Sequence, residues 1–349
     1  MKKLLAILLA AVLVFGLVAC TTTPAATPTP APATPAPGPA ETPTEPAAPG
    51  ADFHGGQPIT LVVPWAAGGG TDLGARIILP YLESYLGTNI VVQNLTGGSG
   101  WIGWEHMLTA PADGMTFAMI NTPVLFGGYL DPALGRDRTI DDFHIIANHV
   151  SDAVVIVVRP DDNRFTSIED FITLASNENL TFGTTGIGSH GHITFEVIRE
   201  AMDLDMTMIP FAGGADVLAA LMGGHIDVGT LTVGEVRVPM SNGYIAPLVV
   251  FADEQTQFLP GTPTWNETYP EVPFTVASRR SFAVRADTPA EIIAVFESAL
   301  TYALNHPEGV ARMHDMGLDI DFVLNPELTE QIKAAEALIR SLAPLMGWE

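Results

Sequence analysis

Cysteine is nearly absent: Cys20 is the single one in 349 residues. Beyond that position there is no disulfide and no thiolate metal site. Positive charge is scarce too, with 15 Lys and Arg against 39 Asp and Glu and a net charge of −24. That balance argues against nucleic acid as a partner. Past the N-terminal segment no apolar run reaches the length of a membrane helix. There is no G-x-S-x-G element, so the nucleophile elbow of α/β-hydrolases is missing. Gly68, Gly70 and Gly74 give G-x-G-x-x-x-G, one residue longer than a dinucleotide fingerprint. The second strand ends in Gln93-Asn94, with no acid for a ribose. His190 and His192 are two apart with no histidine or cysteine cluster nearby, so no metal centre is expected. These absences point away from an enzyme and from any cofactor.

What is present begins with an export signal. Lys2 and Lys3 precede an apolar core from Leu4 to Val14, and Leu17-Val18-Ala19-Cys20 forms a small-residue cleavage site. Cleavage before Cys20 leaves a thiol for lipid attachment, so residues 1–20 read as a lipoprotein signal. Thr21 to Gly50 holds ten prolines, eight alanines and eight threonines, with no large apolar residue. Such a segment cannot bury enough surface to offset its ordering entropy, and 21–55 reads as a disordered tether. About 290 residues remain, enough for two units with their own cores. Loss of Lys2 and Lys3 takes the charge from −24 to −26.

The chain is organised around Ile59 to Asp72. Ile59-Thr60-Leu61-Val62-Val63 suits a buried strand, and Pro64 ends it. Gly68, Gly69 and Gly70 leave the backbone bare, and Thr71 and Asp72 are placed to cap a following helix. A strand, a glycine turn and a helix N-terminus gather free N–H groups that attract an anion. The stretch reads as one wall of a site for a small carboxylate. N–H groups act at short range, where distant acidic charge is screened.

The rest repeats this logic. A helix is expected over 72–86, kinked at Pro80, then a strand at Ile90–Gln93, a helix at Trp101–Thr109 and a strand at Met115–Ile120. This alternation argues for a parallel α/β sheet, with loops 66–71, 94–100 and 121–123 at the strands' carboxyl ends. A second unit starts near Ser151, with a strand from Ala153 to Val158. Leu180 to Gly183 runs into a second glycine loop and a helix from about Ile193. Strands follow at Met206–Phe211, Ile226–Thr230 and Leu248–Phe251. Ser281–Arg285 is short and strand-like, Pro289–Ala303 helical, and the remainder mostly helical.

Several motifs together resemble one family. Pro64 to Asp72 with Arg76, and Val92-Gln93-Asn94 with Gly97 to Gly100, resemble the first two motifs of the tripartite tricarboxylate transporter solute receptors. Ala110 to Thr116, Phe182 to His192, Ile209 to Gly213 and Gly223 to Asp227 are similar to the four that follow. The resemblance covers roughly 57–345. It implies an α/β, two-lobed periplasmic-binding-protein fold of the second type, with the ligand in the interlobe cleft. Phe211 stands where the family usually has tyrosine, and Trp65 where phenylalanine is more usual.

The implied function is an extracytoplasmic solute-binding lipoprotein, anchored to the membrane by lipid on Cys20. It captures a di- or tricarboxylate, an amino acid or an aromatic acid, and delivers it to permease subunits. A sensor feeding a membrane signalling partner is the alternative. A monomer is expected. The lobes are expected at 56–149 with 248–349, and at 150–247. Ligand contacts are expected from Trp65, Ala67, Gly68, Gly69, Gly70, Thr71, Asp72 and Thr122 in the first lobe. Thr184, Thr185, Gly186, Ser189, His192, Phe211 and Asp227 are expected from the second. Asp72 reads first as a helix cap, Arg76 as its i,i+4 ion-pair partner, and His192 as a residue that orients its loop or donates to the ligand. Neither loop 66–72 nor 183–192 contains Lys or Arg, so a backbone-built cradle is expected. A side chain at Gly69 is expected to block it and to strain a φ > 0 backbone.

Overall fold

A computed structural model describes residues 51–318 and 320–348. The expected signal, Cys20 and the tether as far as residue 50 lie outside them. The tether was expected to reach residue 55, but Ala51–His54 forms a 3-10 turn. His54 Nε2 lies 3.0 Å from the Leu86 carbonyl, and Phe53 packs on Phe296 at 5.6 Å between ring centroids. An aromatic pair and a buried histidine offset the ordering entropy of this turn.

The chain opens with β1 (Ile59–Val63), α1 (Gly70–Leu86), β2 (Ile90–Asn94), α2 (Trp101–Thr109), β3 (Thr116–Thr122), α3 (Val124–Leu130) and β4 (Phe143–Val158). The expected parallel arrangement is present: β1 lies between β2 and β3, parallel to both. α1 runs unbroken through Pro80, because Ile78, Leu79, Leu82 and Leu86 seat its apolar face in the core. That burial is worth roughly 1.5–3 kcal/mol per large side chain, which outweighs one lost backbone hydrogen bond.

β4 is sixteen residues long, against the six expected from Ala153 to Val158. Asn148, His149, Ser151 and Asp152 break its apolar pattern, although all lie in strand. Register shifts at Ile145/Ala147 and Asn148/Val150 mark bulges, which bend β4 out of the first sheet and into a second.

There follow α4 (Ile168–Ala175), β5 (Leu180–Thr184), α5 (His190–Met202), β6 (Met206–Pro210), α6 (Gly214–Met222), β7 (Val228–Thr232), α7 (Val233–Ser241) and β8 (Ala246–Phe251). The second sheet runs β8-β4-β7-β5-β6, with β5, β6 and β7 mutually parallel. Val154, Ile156 and Val158 pack on one face of it, Val155 and Val157 on the other. The period-2 geometry of a strand buried on both sides explains that split.

The chain ends with α8 (Trp265–Thr268), β9 (Ala277–Arg285), α9 (Ala290–Leu304), α10 (Pro307–Asp315), β10 (Ile320–Leu324) and α11 (Glu327–Ser341). The first sheet is completed as β2-β1-β3-β9-β4-β10. This corrects the expected boundary at 248. β8 pairs with Val154–Val158 and belongs to the second sheet, and β9 is the strand that returns to the first. β8 is apolar enough for either sheet, and only pairing decides between them. β10 also replaces part of the expected helical tail.

Candidate ligand-binding cleft

The carboxyl ends of both parallel strand sets meet where β4 and β9 cross. Thr122 and Asn121 of β3 pair with Arg279 and Arg280 of β9, and Thr232 of β7 pairs with Val154 of β4. The loops into α1, α2 and α3 therefore face those into α5, α6 and α7, as parallel sheets place their ligand sites.

The first wall is built around Asp72. Its carboxylate accepts from Gly68 N at 2.9 Å, Arg76 Nε at 2.9 Å and Asn94 Nδ2 at 2.9 Å. Burial pushes this carboxyl up, but those hydrogen bonds outweigh burial and hold it below the usual range. Asp72 thus shapes the loop instead of facing a ligand, and Arg76 is the expected surface partner. Trp65 Nε1 donates to Asn121 Oδ1 at 2.8 Å, and Asn121 Nδ2 donates to Thr71 Oγ1 at 3.0 Å. The helix cap at Gly69 offers no side chain, which leaves the first amides of α1 free for an anion. The left-handed residue is Gly68, at φ +82°, while Gly69 has φ −72°. The expected strain at Gly69 is therefore absent. Ala67 lies on the exposed rim of this loop, and Thr122 is buried at the end of β3.

The second wall carries a side-chain cap where the first does not. Ser189 caps α5 by accepting from His192 N, and His192 Nδ1 accepts from Gly188 N at 3.0 Å. His192 is thus a loop-orienting residue whose ring also lines the cleft. Thr184 Oγ1 and His190 Nε2 are buried with no hydrogen-bond partner among the described residues. Thr185 is buried beside them, and Gly186 is left-handed at φ +108°. Phe211 N donates to the Thr184 carbonyl at 2.9 Å, which fixes Phe211 at the same edge. Asp227 is elsewhere. It precedes β7, at the opposite end of the sheet, and its carboxylate takes Thr181 N, Thr181 Oγ1 and Arg164 Nη2. Its expected place among the ligand contacts is withdrawn, because strand direction puts it far from the loops.

Two buried charged residues stand outside the contacts expected from the sequence. Arg280 of β9 is 2% exposed and Asp152 of β4 is fully buried, and they pair at 2.9 Å between the two walls. Burial pushes the Asp152 carboxyl up, against the pull of Arg280, Thr232 and the Gly234 amide. The local signal is weak, because both strands carry other polar residues, Asn148, His149 and Ser151 in β4 and Ser278, Arg279 and Ser281 in β9. A cavity of about 490 Å³ lies to one side, lined by Gly98, Ser99, Gly128, Arg136, Ile187, His192 and Trp348 among others, and neither loop 66–72 nor Arg280 lines it. No group of three or more potential metal ligands occurs among the described residues.

A family model described as "Tripartite tricarboxylate transporter family receptor" matches residues 75–342. The chain belongs to this family. The receptor is 26% identical over 267 residues to a protein of the TAR-I ttuE-ttuC' intergenic region of Agrobacterium vitis, covering 76% of this chain and 77% of that one. A solved TctC solute-binding protein from Polaromonas is 27% identical with a TM-score of 0.64, over 82% of the receptor and 98% of that chain. R. palustris Rpa4515, solved with adipate, is 26% identical with a TM-score of 0.76, over 83% and 98%. The family consists of solute-binding receptors with a two-lobed periplasmic-binding-protein fold, and its members are periplasmic.

Proposed function

We propose that this receptor captures a small carboxylate-bearing metabolite between its two sheets and delivers it to a tripartite tricarboxylate-type permease. A lipid on Cys20 and the proline-rich tether hold it outside the cytoplasmic membrane as a monomer. The observation that carries the reading is the pair of apposed walls, each offering a helix N-terminus to one cleft, with the α1 end left uncapped. The relative Rpa4515, solved with adipate, supports a carboxylate ligand. No catalytic step is needed for this role.

A thermal-shift screen of the full-length protein tests it, with adipate, malate, citrate, glutamate and benzoate as probes. Ligand at 100 times its Kd adds about 2.7 kcal/mol by mass action. A concentration-dependent rise in Tm with at least one acid is expected. No rise with any of these acids would overturn the carboxylate reading. Solute uptake by cells with and without the permease subunits tests delivery.

A further inference from the structure

Arg280 has more donors than partners. Nη2 donates to Asp152 Oδ2 at 2.9 Å and to Thr232 Oγ1 at 3.3 Å. Nε and Nη1 are buried and find no acceptor among the described residues. A guanidinium carries five N–H groups, and leaving several unmet away from water is costly. A native fold that tolerates this beside a helix end is prepared for an acceptor from outside.

The place of the guanidinium says what acceptor. A Cβ built on Gly70 would lie 3.0 Å from Nη2 and 3.2 Å from both Cζ and Nη1. The cation thus lies against the first residue of α1, whose amides are uncapped. Glycine at 70 is what lets the helix end and the cation approach so closely. A full charge and a helix N-terminus, both short of acceptors, face the same small volume. Asp152 neutralises Arg280 but is itself held by the Gly234 amide at 3.1 Å, so it stays on the second wall. His190 completes the surroundings. Burial first, and Arg280 second, lower its pKa to about 4, so it is neutral with Nε2 free.

We propose that a carboxylate of the solute docks on the free N–H groups of Arg280 while accepting from the N-terminal amides of α1. The anion anchor is then a side-chain cation supported by a helix end, in place of a cradle of backbone alone. The proposal rests on the carboxylate reading above. It adds that the anchoring group must be ionised: a primary amide in its place would set N–H against N–H.

Calorimetry on the full-length protein tests this, using the acid that gives the largest thermal shift and its amide analogue, such as adipate against adipamide. Arg280→Gln alone would strand Asp152, so Arg280→Gln is combined with Asp152→Asn to remove both charges at nearly constant shape. The pair variant should bind the acid about 100-fold more weakly, and Arg280→Lys about 10-fold more weakly, since it keeps the charge without the planar fork. The amide should not bind the wild type measurably. Arg280 Nε–H should shift downfield in 1H–15N spectra when the acid saturates the wild type, a readout that needs no variant to fold. Wild-type affinity for the acid with a pair variant within threefold of it, or an unmoved Nε–H signal, overturns the Arg280 anchor and leaves the carboxylate reading standing. Failure of every acid to bind the wild type overturns both.

Discussion

Gly127 and Gly188 touch backbone to backbone across the cleft. A Cβ on Gly127 would come within 2.5 Å of Gly188 Cα. The first-wall helix α3 and the second-wall loop therefore close with no side chain between them. Gly127 is helical, so adding a side chain there does not strain its own φ. Gly127→Val should hold the walls apart and weaken solute affinity at least about tenfold, since an interface pays steeply for overpacking. Small-angle scattering should show no compaction on adding ligand. Wild-type affinity in this variant would refute the contact as a closure point.

The glycine loop before α1 should respond position by position. Gly70→Ala sets a methyl group 3.0 Å from the Arg280 guanidinium, so affinity should fall about tenfold. Gly69→Ala meets only the Ala66 carbonyl at 3.3 Å and has an ordinary φ of −72°. It should bind within a few-fold of wild type. Calorimetry on the two variants checks the order, and the reverse order would mean that the approach of α1 to Arg280 is irrelevant to binding.

Two aspartates of similar sequence appeal should separate. Asp227→Asn loses the Arg164 ion pair at 2.7 Å, at the far end of the second sheet. Denaturant unfolding should show a loss of roughly 1–2 kcal/mol, with solute affinity unchanged. Asp72→Asn should lower affinity as well, because it releases the Gly68 amide and the loop that follows β1. Equal affinity losses in the two variants would contradict this placement.

Acid should destabilise the fold through two histidines. Burial, aided by Arg280, lowers His149 to about 3 and His190 to about 4, from an ordinary 6.5. The unfolded chain takes up these protons as pH falls below 6.5, and the folded chain does not until about 4 and 3. Their stabilisation is therefore complete above pH 6.5 and is lost as pH drops through that window, at roughly 1.4 kcal/mol per unit per group. Calorimetric melts from pH 7 to 4 should show a falling Tm, and His190→Gln should flatten the slope. An unchanged slope in that variant would remove His190 from the account.

Anchoring is tested at Cys20. Cys20→Ser should move full-length protein from the membrane to the soluble fraction, because one lost lipid removes the anchor and Thr21 to Gly50 has no large apolar residue of its own. Membrane partitioning that survives the substitution, with the signal normally cleaved, would contradict lipid attachment there.

The sequence by itself determined the parallel halves of the fold and the first wall. Ile59–Val63, the glycine run and the α1 pattern are local signals: period, cap and turn residues lie within a few positions of one another. The same holds for the loop at 183–192 and for Arg76 as partner of Asp72, one helical turn away. Only the tertiary structure decided the crossing. β4 and β9 are 124 residues apart at their nearest paired positions, Ala153 and Ala277, and their pairing carries polar residues that disguise both strands. β8 went to the second sheet through an antiparallel pairing that its own apolar composition does not encode. Asp227 lies away from the loops because strand direction, not motif membership, sets which end faces the cleft. Arg280 lies beneath Gly70 because register alone brings a cation on the returning strand there, 210 positions along the chain.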